Sequence, residues 1–522
     1  MSNNHKARPN HTSLLATRLS AFALLAASST GRSANIDEAI NSAIAPLTEL
    51  VSGFIFYSVE IYGAQLPLIV LWLVAAAVFF TFYFGFLNFR GMAHAVRLVR
   101  GDYSDPDHKG EINHFQALAT ALSGTVGIGN IGGVAVVISV GGPGAVFWLI
   151  IAGLLGMSTK FAECVAGVKY RQHNDDGTVS GGPMYYLEHA CKERGMAFLA
   201  KPMGYFYAIS IVIGCLGIGN MFQSNQAFQQ FVFATGAEQS QFIDKGWIFG
   251  LVIAVVIGIV IIGGLKSIAK VTSRLVPFMA ISYALGAVLV IILNADKLPW
   301  AISTIFTEAF TPQGATGGAL AVMILGFQRA VFSNEAGIGS AAIAHSAVRT
   351  EEPVTEGYVG LLEPFIDTVV VCTLTALVIL TTIYYPGLSN EGIQGVELTS
   401  RAFASTLSWS TIPLSIIAIL FAFSTMISWS YYGLKGWSYI FGASKKSAIT
   451  FNTLFCLAGA LGCTIQLSAV LDFSDAMVFV IALPNVIGLY LLAPIIKKEL
   501  HNYQQRLHSG QLVKYADKPV IG

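Results

Sequence analysis

The chain contains few charged residues and no excess of either sign. Asp, Glu, Lys and Arg make up 11% of its 522 residues, and 30 basic residues face 29 acidic ones. Soluble proteins average about 25% charged residues, and a protein that binds nucleic acid needs a surplus of Lys and Arg to displace phosphate counterions. Low-complexity segments are also missing, and 54% of the residues are hydrophobic. This composition argues against a nucleic-acid partner, a disordered chain and a water-exposed globular surface.

Cysteine is scarce, and its spacing fits no metal or redox site. None of the six cysteines forms a Cys-x-x-Cys pair, and none has histidines at metal-ligand spacing. Most of them lie inside apolar runs, where cysteine packs as a small hydrophobic residue. The sequence also lacks a phosphate-binding loop with its lysine and a Ser–His nucleophile pair at one depth. We therefore expect no cofactor and no enzymatic activity.

Long apolar runs dominate the sequence, whose mean hydropathy is +0.65. A helix needs about 20 apolar residues to cross a bilayer, because its backbone groups must be satisfied within the helix. Eleven runs approach that length, which predicts an all-α polytopic protein in the plasma (inner) membrane, with the lipid bilayer as a partner. They cover about residues 66–88, 115–140, 143–168, 204–235, 247–265, 275–294, 318–347, 358–384, 411–441, 448–469 and 474–496.

The positive charges favour one orientation of these spans. Cytoplasmic loops retain Lys and Arg, and a cytoplasmic C-terminus puts 21 of these residues in inner segments and 3 in outer ones. We therefore expect the C-terminus inside, with residues 497–522 as a polar cytoplasmic tail. Eleven spans then place the N-terminus outside.

An outside N-terminus requires a way across the membrane. Residues 1–34 carry three basic residues before a short apolar stretch, which fits either a signal peptide or a disordered leader. Apolar residues at helical spacing follow within residues 35–65, and we expect this segment to lie flat on the outer surface. Pro183–Cys191, in the longest inner loop, is expected to form another surface helix.

A short motif occurs twice in the apolar runs. Ser123–Asn130 reads Ser-Gly-Thr-Val-Gly-Ile-Gly-Asn, and Ser333–Ser340 reads Ser-Asn-Glu-Ala-Gly-Ile-Gly-Ser. The two copies lie 210 residues and five spans apart, and an odd number of spans gives them opposite orientations. Paired glycine-interrupted segments in the two halves of a transporter indicate its binding site.

Both motifs predict interrupted helices. Glycine inside a helix costs about 1 kcal/mol relative to alanine, and an interruption frees N–H groups on one half-helix and carbonyls on the other. At membrane depth such groups are tolerated only where they line a cavity or bind a ligand. Free N–H groups suit a carboxylate, and free carbonyls suit Na⁺ or an ammonium group. Close helix packing at small residues is the alternative explanation.

Three stretches closely resemble the alanine or glycine:cation symporter family. They are Thr120–Arg171, Gly326–Ala347 and Phe423–Gly433, and the resemblance extends over about residues 60–500. It implies a leucine-transporter-type core of two inverted five-helix repeats, preceded by one extra helix, within a transport domain at residues 66–496. The repeats would cover about residues 115–294 and 318–496. The resemblance also implies symport of a small neutral amino acid, such as alanine or glycine, with Na⁺ or H⁺.

Matching the residues one by one to this family assigns a substrate site. The matched positions are Gly127, Gly129, Asn130, Gln223, Thr425 and Trp429, with Phe332 as a further wall. The first three fall where the family holds the substrate carboxylate. The others fall on helices that face the pocket, and the substrate ammonium is expected at carbonyls around residues 330–333.

Hydroxyl groups opposite the first motif are candidate ligands for the coupling cation. Ser424, Thr425 and Ser428 share one helix face, and Na⁺ prefers hard oxygen ligands. Together with Val126 and Asn130 they form the expected Na⁺ site. The alternative is that Ser and Thr bond back to a carbonyl of the preceding turn.

Charged residues inside membrane spans are costly and by default functional. Lys160 and Glu163 are three residues apart, which predicts an ion pair at a helix end. Glu363 and Asp367 are four residues apart and are predicted to act as a cytoplasmic gate or as partners of Lys160.

Further charged or titratable residues lie close to the second motif and at the inner helix ends. We expect Arg329 to be paired. Glu335 is expected to bond backbone freed by the interruption, with proton coupling as the alternative. His114 and His345 lie near inner helix ends, where we expect a surface role.

Other functions on the same core remain open: an H⁺-coupled transporter, a channel or a sensor. A channel needs a continuous polar stripe, whereas polar residues here concentrate at the two motifs. This concentration favours a closed binding site. The sequence therefore predicts alternating-access symport of a small neutral amino acid with a cation, with Na⁺ as the coupling ion.

Overall fold

The protein is described by a computed structural model. It covers residues 45–512, apart from residues 47, 62, 106, 311–317, 386–394 and 465–466, together with residue 514. The side chains of residues 467–472 and 474 also fall outside this description. The expected leader at residues 1–34 lies outside the described residues, as does most of the chain beyond residue 512.

Helices make up most of the described chain. The α-helices are α1 Leu68–Tyr83, α2 Leu87–Arg90, α3 Met92–Arg100, α4 His114–Thr125, α5 Val134–Gly141, α6 Gly144–Lys169, α7 Pro183–Glu193, α8 Ala197–Leu216, α9 Phe222–Ala234, α10 Gly246–Ile261, α11 Gly264–Leu293, α12 Leu298–Glu308, α13 Gly318–Asn334, α14 Ser340–His345, α15 Pro353–Gly360, α16 Leu362–Pro364, α17 Thr373–Thr381, α18 Val396–Thr406, α19 Thr411–Phe441, α20 Lys445–Gly462 and α21 Leu467–His508. Short 3₁₀-helices cover Ala237–Gln239, Ala295–Lys297 and Ser408–Ser410.

Three π-helical segments interrupt the longer helices. Gly129–Gly133 leads into α5, Gly217–Met221 joins α8 to α9, and Phe365–Cys372 joins α16 to α17. A π-helical turn widens the backbone and often marks a functional site. All three segments carry or adjoin residues of the candidate site.

Two small antiparallel hairpins accompany the helices. Strand β1, Ser58–Ile61, pairs with β2, Ala64–Pro67, just before α1. Strand β3, Gln172–His173, pairs with β4, Val179–Ser180, in the loop after α6. The surface segment expected at residues 35–65 thus includes helical residues 48–55 and part of the first hairpin.

Six helical stretches of the described chain are long and apolar enough to cross a membrane. They are Gly144–Lys169, Ala197–Ala234, Gly264–Leu293, Pro353–Thr381, Ser408–Phe441 and Asp475–His508. The bent pair His114–Thr125 and Gly129–Gly141 makes a seventh when its two halves are counted as one span. Other runs counted among the predicted eleven form shorter apolar helices, such as Leu68–Tyr83 and Gly246–Ile261. The protein is thus a mostly helical, multi-pass membrane protein.

The last helix extends beyond the expected membrane boundary. α21 continues past Lys497 to His508 and buries Leu500 and Tyr503 against the rest of the protein. This part of the expected polar tail is therefore helical and packed. α7 confirms the helix expected at Pro183–Cys191 and extends it to Glu193.

The first motif interrupts its helix, as predicted. α4 begins at a capping box in which Asn113 and Gln116 bond each other's backbone N–H groups. It ends at Thr125, where Val126 takes an extended backbone conformation with ψ of 90°. The two halves meet at an angle of 51°.

The second motif also interrupts its helix, by a left-handed turn. α13 ends at Asn334 and α14 begins at Ser340. Glu335, Gly337 and Gly339 have φ angles of 57°, 99° and 84°. Glycine adopts this region freely, whereas a residue with a side chain adopts it at a cost. Gly337 and Gly339 of the second motif are thus explained by the backbone they allow.

The two interrupted helices pack against each other. α14 contacts α4, and α13 contacts α5, so the N-terminal half of each interrupted helix lies against the C-terminal half of the other. α11 and α19 pack along α4, and α6 packs along α13 and α15. This arrangement places both interruptions inside the protein.

Candidate binding site

Two polar side chains converge on the interruption of the first motif. A Cβ atom added at Gly127 would lie 2.6 Å from Thr425 Oγ1 and 3.6 Å from Gln223 Oε1. Both oxygens are buried, and neither has a hydrogen-bond partner among the described residues. Leaving a buried polar atom unpaired costs about 1–3 kcal/mol. Such a pair of unpaired acceptors at a helix interruption is suited to receive a polar ligand.

Asn130 connects this interruption to the second repeated motif. Its Oδ1 accepts a hydrogen bond from the Gly127 N–H at 2.8 Å. Its Nδ2 donates to Asp367 Oδ1 at 2.6 Å and to Ser333 Oγ at 3.2 Å. The amide of one buried side chain therefore bridges the two halves of the protein.

Asp367 is a buried carboxylate surrounded by donors. Besides Asn130, it accepts hydrogen bonds from Ser333 Oγ at 2.7 Å and from Thr368 Oγ1 at 2.8 Å. Thr368 accepts in turn from Asn334 Nδ2 at 3.0 Å, which directs the Thr368 hydroxyl proton towards Asp367. This polarity suits the ionised carboxylate.

The charge of Asp367 has no cationic side chain beside it. Within the described chain, no Lys, Arg or His nitrogen lies within 4.0 Å of this carboxylate, although it is fully buried. A lone buried charge is strongly unfavourable unless a partner balances it. Asp367 is therefore not the ion-pair partner of Lys160, and it lies beside Asn130, which donates a hydrogen bond to it.

Phe332 lies beside the first interruption. A Cβ atom added at Gly129 would lie 3.8 Å from the Phe332 ring, and that ring meets Phe222 edge to face. Among the carbonyls expected to hold an ammonium, Val331 O already accepts the Glu335 N–H at 3.0 Å, because the helix continues to Asn334.

The three hydroxyls of α19 have different surroundings. Ser424 Oγ donates to Phe421 O at 2.9 Å, which is the back-bonding alternative. Ser428 Oγ donates to Thr120 O on α4 at 2.9 Å. Thr425 alone directs an unpaired hydroxyl oxygen at the interruption. α19 thus lies against α4 opposite the interruption, as predicted.

Trp429 and Glu335 lie together near the second interruption. The indole Nε1 donates to Glu335 Oε1 at 3.0 Å, and Ser340 Oγ donates to the other oxygen of the same carboxylate. The indole covers Gly219, where any side chain would collide with it. Glu335 therefore bonds side chains, and the expectation that it bonds freed backbone is wrong.

Glu163 is the residue that bonds the freed backbone. Its Oε1 accepts hydrogen bonds from the N–H groups of Gly337 at 2.9 Å and Gly339 at 3.0 Å. Asn485 donates to the same oxygen and also to Gly337 O, each at 2.8 Å. The predicted ion pair of Glu163 with Lys160 is wrong, because Lys160 Nζ pairs with Glu363 Oε2 at 3.2 Å. The pairing of Lys160 with Glu363 was one of the predicted alternatives.

Sequence reasoning missed Asn485 and the role of Glu163. A polar residue directly after Pro484, inside an otherwise apolar run, is a signal for Asn485. The role of Glu163 has no local signal, since its partners follow it by 174 and 176 residues.

The two histidines are buried, so the expected surface role is wrong. His345 Nδ1 and Nε2 lie 2.5 Å and 2.7 Å from Glu356 Oε2 and Glu363 Oε1, and His114 Nδ1 bonds the other oxygen of Glu356. With Lys160 these residues form a continuous buried network of alternating bases and acids that joins α4, α14, α15, α16 and α6.

His345, Glu363 and Cys164 would bring three ligand atoms within 4.8 Å of one another, which raises the question of a metal site. The ammonium of Lys160 beside Glu363 makes an ion-pair network the better description.

Arg329 is paired, as expected. Its Nη1 lies 3.1 Å from Asp475 Oδ2, and both side chains keep about a fifth of their surface exposed, at 22% and 17%. This pair therefore differs from the fully buried pair of Lys160 and Glu363.

Comparison with known proteins agrees with this architecture. The sequence is 37% identical to the sodium/alanine symporter AgcS of Methanococcus maripaludis over 84% of this chain and 94% of that protein. It is 32% identical to the probable sodium/glutamine symporter GlnT of Bacillus subtilis, over 85% of this chain and 89% of that protein.

A solved structure shares the fold. The crystal structure of MhsT in complex with L-phenylalanine matches with a TM-score of 0.54 over 74% of this chain and 98% of that chain, at 16% sequence identity. The model of the sodium:alanine symporter family matches residues 52–517. On this match and the identity to AgcS, the chain belongs to the sodium:alanine symporter family.

Proposed function

We propose that the protein moves a small neutral amino acid, such as alanine or glycine, together with Na⁺ by alternating access. The observation that carries this proposal is the meeting of Thr425, Gln223 and Asn130 at Gly127, where buried oxygens are left unpaired beside the buried charge of Asp367. The names of the relatives support the class of substrate and of coupling ion.

The proposed architecture is eleven spans. One helix precedes two inverted five-helix repeats at about residues 115–294 and 318–496, with the N-terminus outside and the C-terminus in the cytoplasm. Two helix interruptions in opposite halves and the fold shared with MhsT support this arrangement.

In the proposed substrate site, the amino acid lies at Gly127, Gly129 and Asn130. Its carboxylate faces the backbone of this interruption, and its ammonium faces Gln223 Oε1, an unpaired acceptor. Phe332 forms a wall beside Gly129. A side chain larger than that of alanine meets this wall.

Trp429 closes the proposed pocket from one turn below Thr425 on α19. Its hydrogen bond to Glu335 links the pocket to the second interruption. A movement of Trp429 on closure around the substrate would therefore change contacts at both interruptions.

The proposed Na⁺ site lies between α4 and α19, at Val126 and Asn130 on one side and Ser424, Thr425 and Ser428 on the other. The unpaired Thr425 oxygen supports this location. The uncompensated charge of Asp367, one hydrogen bond beyond Asn130, attracts a cation towards the same region. A cation there also offsets repulsion between Asp367 and the substrate carboxylate.

H⁺ is the alternative coupling ion. A proton on Asp367 would neutralise the same buried charge, so this carboxylate supports either ion. The two ions differ in the gradient that drives uptake.

Uptake of radiolabelled alanine into proteoliposomes tests the proposal. An inward Na⁺ gradient is expected to drive accumulation, with no accumulation when K⁺ replaces Na⁺. Accumulation that follows a pH gradient in the absence of Na⁺ would select H⁺. Failure of both gradients to accumulate any small neutral amino acid would refute symport.

A further inference from the structure

A cleft that shares no residue with the proposed substrate site lies next to the C-terminal end of α21. Its volume is about 430 Å³, and it lies between the end of α1, the following turn with α2 and α3, and α21. Two cationic side chains, Arg90 and Lys497, line it together with the histidines His94, His501 and His508. No Asp or Glu lines it within the described part of the chain.

The positive charge of this cleft is not neutralised by the protein. Among the described residues, no carboxylate lies within 4.0 Å of Arg90 or Lys497. Neighbouring carboxylates are already paired, since Glu499 bonds Lys169 at 2.7 Å and Glu352 bonds Arg506 at 2.6 Å. The cleft is therefore complementary to an anion.

Aromatic side chains mark the depth of the cleft in the membrane. Phe82, Phe86 and Phe89, at and just beyond the end of the apolar helix α1, are 64%, 43% and 60% exposed. Lys497 Nζ lies 4.2 Å from the centre of the Tyr83 ring. Aromatic and basic residues concentrate where helices leave the hydrocarbon and meet the lipid headgroups. The cleft thus combines a charged interior with an apolar rim that can contact acyl chains.

We propose that this cleft binds the phosphate of an anionic phospholipid headgroup. Arg90 and Lys497 donate to the phosphate oxygens, and the acyl chains lie against the exposed phenylalanines. Guanidinium and ammonium groups are the usual phosphate donors of proteins, and basic clefts between membrane helices bind anionic headgroups. A free phosphate ion carries the same kind of charge but has no apolar part to contact the aromatic rim. The rim therefore favours a lipid as the ligand.

Lipid binding to the purified full-length protein in detergent tests this proposal. The probe is a fluorescent phosphatidylglycerol, with phosphatidylcholine and inorganic phosphate as competitors. The double substitution Arg90→Gln with Lys497→Gln is expected to weaken phosphatidylglycerol binding about tenfold or more, because two charge-assisted contacts are lost. Phosphatidylcholine and inorganic phosphate are expected to compete poorly.

The matched control is Lys498→Gln. Lys498 is an exposed neighbour on α21 that does not line the cleft, so its loss removes one positive charge from the same region and is compared with the single substitution Lys497→Gln. Its variant is expected to bind phosphatidylglycerol as the unchanged protein does. Equal weakening in the control would attribute binding to general surface charge and overturn the proposal.

Two further results would also overturn it. Inorganic phosphate that binds as tightly as phosphatidylglycerol would make the cleft a site for free anions. Unchanged lipid affinity in the double variant would place the lipid elsewhere. Should the double variant unfold, the single substitution Arg90→Gln tests the proposal instead. Because Arg90 is exposed, this substitution is expected to reduce phosphatidylglycerol affinity severalfold without loss of folding. These readouts do not depend on the transported substrate or the coupling ion.

Discussion

The two helix interruptions share a sequence motif but differ in how their polar groups are satisfied. At the first, the Gly127 N–H is bonded by a neutral side chain, Asn130, and oxygens of Thr425 and Gln223 remain unpaired. At the second, one oxygen of Glu163 accepts both glycine N–H groups. The first interruption has the features of an open binding position, and the second those of a fixed joint.

This difference separates two demands on an interrupted membrane helix. A ligand needs polar groups that are free to bind it, whereas the protein needs its remaining backbone groups satisfied. A permanent carboxylate at the first interruption would compete with the substrate carboxylate for the same N–H groups. Substitutions at the two places should therefore affect different measurements.

The largest effect is expected at the second interruption, from Glu163→Ala. The change leaves the N–H groups of Gly337 and Gly339 without their acceptor and removes one of the two acceptors of the Asn485 amide. Loss of charge-assisted hydrogen bonds costs about 1.5–3 kcal/mol each. We expect a loss of several kcal/mol of folding stability, measured by thermal unfolding of the purified protein.

The matched variant is Glu163→Gln, which keeps one acceptor oxygen and removes the charge. It should retain a substantial part of the stability that Glu163→Ala loses. If Glu163→Ala unfolds at the temperature of the unchanged protein, the fixed joint does not depend on this carboxylate.

At the first interruption, Asn130→Ala should abolish transport while most of the protein still folds. The substitution removes the acceptor for Gly127 N–H and the donor to Asp367, which disturbs the proposed substrate and cation sites together. Alanine uptake into proteoliposomes measures the loss. Asn502→Ala, on the exposed surface of α21, is the control and should transport normally. Uptake near normal in Asn130→Ala would move the substrate site away from Gly127.

A smaller and more selective effect is expected from Thr425→Val. Valine keeps the shape of threonine and removes an oxygen that has no protein partner, so stability should stay unchanged or rise by about 1 kcal/mol. The Na⁺ concentration for half-maximal uptake should rise about tenfold, the equivalent of one lost polar ligand. Thr425→Ser keeps the hydroxyl and should stay close to the unchanged protein. A Na⁺ dependence unaffected by valine would exclude this hydroxyl as a ligand.

The sequence predicted the interruptions because their cause is local. Glycines and polar residues within eight positions of an apolar run weaken the helix wherever it packs, and the structure confirms both interruptions. The same locality explains the α7 helix. The position of Thr425 opposite Gly127 joins distant parts of the chain, and it was expected from the resemblance to the family. Apolar runs likewise predicted the helices. Because interruptions and short elements divide several of the eleven predicted runs, six or seven helical stretches of the described chain reach spanning length.

The sequence could not predict which charged groups meet. Spacing along one helix suggested that Lys160 pairs with Glu163, but packing of α16 against α6 brings Glu363 to Lys160 instead. His114 and His345 were misplaced for a related reason. Their positions at helix ends suggested exposure, whereas Glu356 from a later helix bonds and buries both.

The smallest effect is expected where an ion pair keeps contact with solvent. Arg329 and Asp475 retain 22% and 17% of their side-chain surface exposed, and we expect water to reach this surface and to screen their attraction. Such pairs contribute about 0–1 kcal/mol, whereas removing one partner of a buried pair like Lys160 and Glu363 costs about 3–5 kcal/mol. A double-mutant cycle of Arg329→Gln and Asp475→Asn, followed by thermal unfolding, should therefore give a coupling energy below about 1 kcal/mol. A coupling energy of several kcal/mol would contradict this expectation and would mean that the pair stabilises the second half of the protein as strongly as the buried network does. The contrast between an open first interruption and a fixed second one would then extend to the surroundings of α13.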